Sequence, residues 1–224
     1  MGKGKSNQPL PPGLPRRYLV LTPFVGLGAF IGLYLLATLL YPGGSQANAQ
    51  AIGFSWLHNY WCNLLNPQAI NGQPNSARPV ALLAMLVLGI SLAIFWSVLP
   101  CLFAFTSVVR KLLQGTGILS MLLGSLIVTP YHDVVIYGAG MLGLFPLLYT
   151  LKGLYQHHYK KLCWLGCSCL VLIGWNNYIY STHIFLFYLP LLQKITFACF
   201  LSWVGLLNWE VYKKRKIHAV DQAT

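Results

Sequence analysis

The sequence predicts an all-α, polytopic membrane protein built as a bundle of six transmembrane helices, and three observations predict it. Of the 224 residues, 56% are hydrophobic and 8% are charged, whereas soluble domains are about 25% charged. The apolar residues form six long, continuous runs rather than alternating ones, which favours helices over a membrane barrel. The basic residues are clustered between these runs, as is typical of polytopic membrane proteins.

The six runs define the predicted spans, each close to the roughly 20 residues that a helix needs to cross about 30 Å of hydrocarbon. The spans cover about residues 18–41, 80–105, 112–129, 133–151, 162–179 and 186–209. Together they form one predicted transmembrane domain, 18–212, between a polar tail at 1–17 and a basic tail at 213–224. Pro79 supports the start of the second span, because the first turn of a helix does not need the N–H that proline lacks.

The net charge of +12 indicates membrane topology rather than nucleic-acid binding. Thirteen of the 15 lysines and arginines belong to four clusters, and six spans place all four clusters on one side. The positive-inside rule then predicts cytoplasmic termini, and a bacterial inner membrane is the expected location. The expected partners are membrane lipids and a membrane protein. The four clusters are Lys3, Lys5, Arg16 and Arg17; Arg110 and Lys111; Lys152, Lys160 and Lys161; and Lys213, Lys214, Arg215 and Lys216.

The loop between the first two spans, residues 42–79, is the longest and is expected on the outer side. Its ends are rich in Gly, Pro, Asn and Gln, which form turns and coil. Its middle, residues 54–65, has apolar side chains at helical spacing. We therefore expect an amphipathic helix on the outer face, with aromatic rings at the membrane interface. Five residues are the predicted contacts for a lipid or a protein partner: Trp56, Tyr60, Trp61, Asn176 and Asn177.

Asp133 is the only acidic residue in the first 209 positions. It follows His132 in a very tight predicted hairpin, 129–133, close to the hydrocarbon. A carboxylate there is costly to desolvate, so it usually has a partner and often a function. The predicted topology places His58 and His183 on the same outer side, which makes this group of residues the candidate site.

Three hypotheses for this site are open. The first is a zinc site formed by His58, His132, Asp133 and His183, because imidazoles and a carboxylate suit Zn²⁺ and an open position would activate water. No other cofactor is predicted. The second is catalysis without metal, in which Asp133 orients His132 or His58 as a general base for a nucleophile such as Ser55.

The third hypothesis is a structural ion pair between Asp133 and Lys194. Both residues are predicted within one or two turns of the outer surface, on spans that are able to touch. Such a pair neutralises both charges and fixes the register of two helices. A related expectation concerns small residues four apart, at Gly28 and Gly32 and at Ala139 and Gly143, which permit close helix contacts.

The motifs around these residues resemble the Frag1/DRAM/Sfk1-like superfamily of six-helix membrane proteins, in particular its bacterial branch of uncharacterised function. The resemblance rests on Ser55 with His58 and Asn59, on the entry to the second span at 75–79, and on the segment 129–133. It covers most of the chain as topology. It implies a role in lipid remodelling, lipid-dependent sensing or membrane organisation.

A weaker similarity is to the ceramidase/progestin-receptor-like membrane hydrolases, which combine a serine, an aspartate and three histidines around zinc. In this chain that set would correspond to Ser55, His58, His132, Asp133 and His183. The chain departs from these hydrolases in having six predicted spans rather than seven. It also lacks their His-x-x-x-His pair in the last span.

The sequence thus predicts an integral membrane protein that engages lipid or a partner through a polar His/Asp/Asn site at its outer face. The alternative is a membrane-embedded hydrolase or transferase, with or without zinc, that acts on a lipid. A transporter would require a helix broken at Pro190 and a polar path across the membrane. Because few polar residues fall at mid-depth, we rank the transporter last.

Overall fold

The computed structural model of the chain describes residues 15–124, 126 and 132–221, apart from the side chains of residues 132, 133, 136 and 218–221. Within this part the architecture is all-α. The helices are α1 (Arg17–Leu40), α2 (Arg78–Val98), α3 (Ser107–Gly124), α4 (His132–Gln156), α5 (Lys160–Thr182) and α6 (Leu189–Asp221). Four of them, α1, α2, α5 and α6, are long and apolar enough to cross a membrane, which indicates a multi-pass membrane protein.

Each predicted span overlaps one of these helices, and the differences lie at the helix ends. The helix α2 ends at Val98 and continues as a 3-10 segment, Leu99–Leu102. Pro100 explains this change, because proline lacks the N–H of the α-helical ladder and its ring crowds the preceding turn. At the C-terminus the predicted basic tail forms the last turns of α6 as far as Asp221. Pro190 lies in the first turn of α6, so the helix is not broken there.

Consecutive helices run antiparallel. Gln114 of α3 donates a hydrogen bond to the carbonyl of Ser97 near the end of α2 (2.6 Å), and Ser120 of α3 donates one to the carbonyl of Ala139 in α4 (2.7 Å). One end of the bundle, which we call the loop end, therefore holds the starts of α2, α4 and α6. The other, the basic end, holds the starts of α1, α3 and α5 together with the described members of the lysine and arginine clusters, residues 16, 17, 110, 111, 152, 160, 161 and 213–216.

The core is built mainly from α1, α2 and α6. Phe30, Phe95 and Trp203 are among its largest side chains and are fully buried. The side-chain amide of Asn208 in α6 donates a hydrogen bond to the carbonyl of Val20 in α1 (2.8 Å). Such a bond between membrane helices contributes about 1 kcal/mol, so it adds to the packing that holds these two helices together.

The close approach of α1 to α2 occurs at Gly26. A Cβ atom on Gly26 would lie 1.6 Å from the hydroxyl oxygen of Ser91, whereas a Cβ on Gly28 or Gly32 would meet nothing within 4 Å. The prediction for Gly28 and Gly32 was wrong, because helical spacing identifies residues on one face without saying which face meets a neighbour. The contact predicted in α4 is confirmed at Gly143, where a Cβ would press on a side chain of α3.

Residues 54–65 form turns and a 3-10 segment, Trp61–Leu65, instead of the predicted amphipathic α-helix. Two asparagine side chains explain the difference. Asn59 Oδ1 accepts the N–H of Ser55 (2.7 Å), and Asn63 Oδ1 accepts the N–H of Tyr60 (2.7 Å). Asparagine bonds of this kind offer the main chain an alternative to the helical ladder, so the prediction of an amphipathic helix was wrong.

Candidate functional site at the loop end

The loop between α1 and α2, residues 42–77, is folded, and we call it the platform. Hydrogen bonds join it to three helices. Tyr34 Oη of α1 donates to the carbonyl of Trp61 (3.4 Å), the N–H of Trp61 donates to Gln193 Oε1 of α6 (3.1 Å), and Arg78 Nε of α2 donates to the carbonyl of Leu65 (3.1 Å). Because the anchor on α6 lies 132 positions away in sequence, the platform is held by the bundle beyond its two flanking helices.

Asn75 organises the second half of the platform. Its buried side-chain amide donates to the carbonyls of Asn63 (3.1 Å), Leu64 (3.2 Å) and Asn66 (2.9 Å). Its Oδ1 accepts the N–H of Ala77 just before α2 (3.1 Å). One side chain thus bonds to three carbonyls and one N–H, and it satisfies the Leu64 carbonyl and the Ala77 N–H, which are buried and costly to leave unpaired.

Ser55 and His58, two residues of the predicted catalytic site, lie close together on the platform. Their catalytic role stays a prediction. Ser55 Oγ lies 3.2 Å from His58 Nδ1, and the N–H of His58 donates to the same Oγ (3.3 Å). With His58 protonated on Nε2, the hydroxyl of Ser55 donates its proton to Nδ1. The pair therefore has the geometry of a nucleophile beside a base, as well as that of a turn closed by a serine side chain.

Lys194 lies beneath this pair, in α6, with only 8% of its surface exposed. Its ammonium group donates to the carbonyls of Asn59 and of Pro190 (3.0 Å), and it stands 5.5 Å from the centre of the Phe54 ring. Asn59 is fully buried and also donates to the carbonyl of Gly44 (2.8 Å). A buried cation is thus bound to the platform through a main-chain carbonyl next to His58.

Apolar side chains frame the Ser55–His58 pair. Trp56 is 47% exposed and Leu57 is 55% exposed, both on the platform. Phe187, in the turn before α6, is 58% exposed, and its ring lies 4.9 Å from that of His58. The polar pair thus has exposed apolar neighbours, Trp56 and Leu57 next to it in sequence and Phe187 against the His58 ring.

The five predicted lipid or partner contacts divide into two groups. Trp56 and Asn177 are exposed and Tyr60 is half-buried, so their surfaces are accessible; burial raises the pKa of the Tyr60 phenol above its ordinary value. Trp61 belongs instead to the interior of the bundle, where its ring packs on Phe30, Tyr34 and Phe197. Asn176 ties α5 to α6 by donating to Thr196 Oγ1 (2.6 Å).

The zinc hypothesis stays a prediction. His132 and Asp133 lie in the first turn of α4, at the loop end, and their side chains are outside the described part of the chain. Among the side chains that are described, no three histidine, cysteine or acidic groups lie close enough to share a metal ion. His183, at the end of α5, is exposed and adopts a left-handed conformation with φ of 57°.

The predicted ion pair between Asp133 and Lys194 also stays a prediction, because it depends on the Asp133 side chain. The described partners of Lys194 are the two carbonyl groups named above. The sequence predicted Lys194 within one or two turns of the outer surface, and the residue lies near the start of α6, at the loop end. The carbonyl of Asn59 as its partner was not predicted, because no sequence pattern points to a main-chain atom in a loop 135 positions away.

Neither models of protein families, nor curated proteins, nor solved structures yield a match to this chain.

Proposed function

We propose that this chain is a non-transporting membrane protein that binds the polar head group of a membrane lipid at the loop end. The observation that carries the proposal is the half-buried pair Ser55–His58 within exposed apolar surface from Trp56, Leu57 and Phe187. A site with polar groups at its centre and apolar side chains around it matches an amphiphile at the membrane interface, where aromatic residues are also enriched.

The proposal includes a topology of six spans with both termini in the cytoplasm and the platform outside. Two features support it. The helices α3 and α4 form an antiparallel pair, and α3 is hydrogen-bonded to α2. The described lysines and arginines of the four clusters lie at the basic end. The resemblance to the Frag1/DRAM/Sfk1-like superfamily agrees with a role in engaging lipid.

Native mass spectrometry of the protein released from nanodiscs tests this function. Wild-type protein should retain lipid, and the substitutions Trp56→Ala and His58→Ala should each lower the retained amount several-fold. Trp164→Ala is the matched control, because Trp164 is an exposed tryptophan near the start of α5, at the basic end. Equal retention by all three variants with unchanged thermal stability would reject a lipid site at the loop end.

A second candidate function is hydrolysis or transfer on a lipid ester, and the distance of 3.2 Å between Ser55 Oγ and His58 Nδ1 favours it. Oγ would attack the ester carbonyl and pass its proton to Nδ1; the alcohol would leave with that proton, and water would release the acyl group. A fluorophosphonate probe tests this: Oγ bonds to phosphorus and fluoride leaves. Labelling that disappears in Ser55→Ala but persists in Ser168→Ala supports an enzyme, and absence of labelling rejects it.

A further inference from the structure

A groove of about 370 Å³ lies between α2, α3, α4, α5 and α6, apart from the platform. Its walls include Met85 and Trp96 of α2 and Val135 and Leu147 of α4. Along α2 it extends over 12 residues, from Met85 to Trp96, whose ends are roughly 16 Å apart at the helical rise of about 1.5 Å per residue. This length is about half of the ~30 Å hydrocarbon thickness, which is the depth of one leaflet.

The described lining of the groove offers almost nothing to a polar ligand. Ser120 and Trp96 are its only described side chains with nitrogen or oxygen atoms. The Ser120 hydroxyl already donates to the carbonyl of Ala139 (2.7 Å), which leaves the buried indole N–H of Trp96 as the one donor of the described lining without a partner. Because a bound water needs two to four polar partners, the groove does not suit water.

Glycines give the groove its depth. Gly89 of α2 and Gly140 of α4 both line it, and a Cβ on either would meet nothing within 4 Å. A larger residue at these positions would occupy the space directly. The volume falls within the range of roughly 300–1,000 Å³ that is usual for ligand sites.

We propose that this groove binds one acyl chain of a lipid from the leaflet at the loop end. Three of its walls, α2, α5 and α6, belong to helices that are long and apolar enough to cross a membrane, so the medium beside the groove is hydrocarbon. The groove extends towards the loop end through Gly124 at the end of α3 and Val135 near the start of α4. It is a site separate from the Ser55–His58 pair and does not depend on that pair.

Two substitutions in α4 distinguish the binding of an acyl chain in the groove from non-specific contact with the surrounding lipid. Gly140→Leu fills the groove, because its side chain enters the open space without a clash. Gly138→Leu is the matched control, since Gly138 is equally free of neighbours and is not part of the described lining. Both substitutions add the same side chain to the same helix.

The experiment uses phosphatidylcholine nanodiscs doped with phosphatidylcholine that carries a diazirine in the middle of one acyl chain. Light releases nitrogen, and the carbene inserts into a C–H bond of the residue beside it. Labelled peptides should concentrate on groove residues such as Leu92, Met121 and Leu144 in the wild type and in Gly138→Leu. The same peptides should lose label several-fold in Gly140→Leu.

Even labelling of all exposed helix faces, unchanged by Gly140→Leu, would show ordinary boundary lipid and overturn the proposal. His58→Ala provides the remaining comparison. Groove labelling that survives in this variant while retained lipid falls would show two independent sites. Loss of retained lipid in Gly140→Leu alone would support the groove and count against the head-group site.

Discussion

Lys194, near the start of α6, donates a hydrogen bond to the main-chain carbonyl of Asn59, 135 positions earlier in the chain. This contact joins the platform to a helix that packs against the core of the bundle. It also explains a lysine at a depth where a cation is costly, because the ammonium group is surrounded by carbonyl oxygens and an aromatic ring.

We expect Lys194→Met to loosen the platform without unfolding the bundle. Methionine keeps the length of the side chain and removes its donors, so the carbonyl of Asn59 loses a partner. Removing a buried charge offsets part of that cost, and global stability should therefore change little. Limited proteolysis in detergent, with cleavage sites mapped by mass spectrometry, should show faster cutting within residues 42–77.

Lys213→Met is the control, because Lys213 is half-exposed at the basic end and forms a surface ion pair with Glu210 (2.6 Å). Such pairs contribute little to stability. If Lys194→Met and Lys213→Met are cut at the same rate as wild type, the hydrogen bond from Lys194 is not what holds the platform.

Asn75→Ala should destabilise the protein by about 2–4 kcal/mol, because the buried Leu64 carbonyl and the buried Ala77 N–H lose their partner at once, and the carbonyls of Asn63 and Asn66 each lose one hydrogen bond. Thermal unfolding in detergent measures the effect as a lower midpoint. Asn66→Ala provides the comparison: Asn66 is exposed and takes part in this network through its main-chain carbonyl. A midpoint for Asn75→Ala equal to that of Asn66→Ala would contradict this account.

The sequence predicted the helices well and the platform poorly, for a physical reason. A membrane helix satisfies its main chain internally, so about 20 apolar residues are enough to specify it. The platform is specified by individual asparagine and lysine side chains that bond to particular carbonyls, as Asn75 and Lys194 do. Those partners depend on how the loop folds over the helices, which periodicity does not encode.

The candidate site likewise combines a contact that the sequence predicts with contacts that it does not. The pairing of Ser55 with His58 was accessible from the sequence, because the two residues are three apart in one short segment. The contact between Phe187 and His58 was not accessible from the sequence, since Phe187 comes from the turn before α6 and meets His58 only in the folded protein. The groove was equally hidden, because its lining comes from five helices.

Gly26→Leu should weaken the packing of α1 on α2 by more than about 2 kcal/mol, because even a Cβ atom there would overlap Ser91, and such overpacking is destabilising. Gly28→Leu should be neutral or slightly stabilising, because Gly28 is exposed and leucine favours helix by close to 1 kcal/mol over glycine. Thermal unfolding of the two variants in the same detergent measures the difference. Equal midpoints would mean that α1 meets α2 through a different face.

Cys169 and Cys199 should be oxidised readily to a disulfide that links α5 to α6. Their sulfur atoms lie 3.3 Å apart. With a membrane-permeant oxidant such as diamide, each thiol gives up one hydrogen to the oxidant and the two sulfur atoms bond. Non-reducing peptide mass spectrometry should find the cross-link in Cys167→Ser and not in Cys169→Ser. Complete alkylation of both thiols after oxidation and denaturation would show that they do not meet.

Stability should fall as the pH is lowered because of His157, at the basic end after α4. Burial lowers the pKa of His157 below its ordinary value, and the nearby charges of Lys214 and His158 act in the same direction. Its neutral Nε2 lies 3.5 Å from the N–H of Ala104, which donates to it.

The folded state therefore favours neutral His157, and the unfolded state takes up the proton first. The stabilisation is fully present above the unfolded pKa of about 6.5 and is lost as the pH falls through the lower folded value. Unfolding midpoints measured between about pH 7.5 and pH 5 should decline less steeply in His157→Gln, which has no proton to gain. An unchanged slope in His157→Gln would assign the pH dependence to other groups.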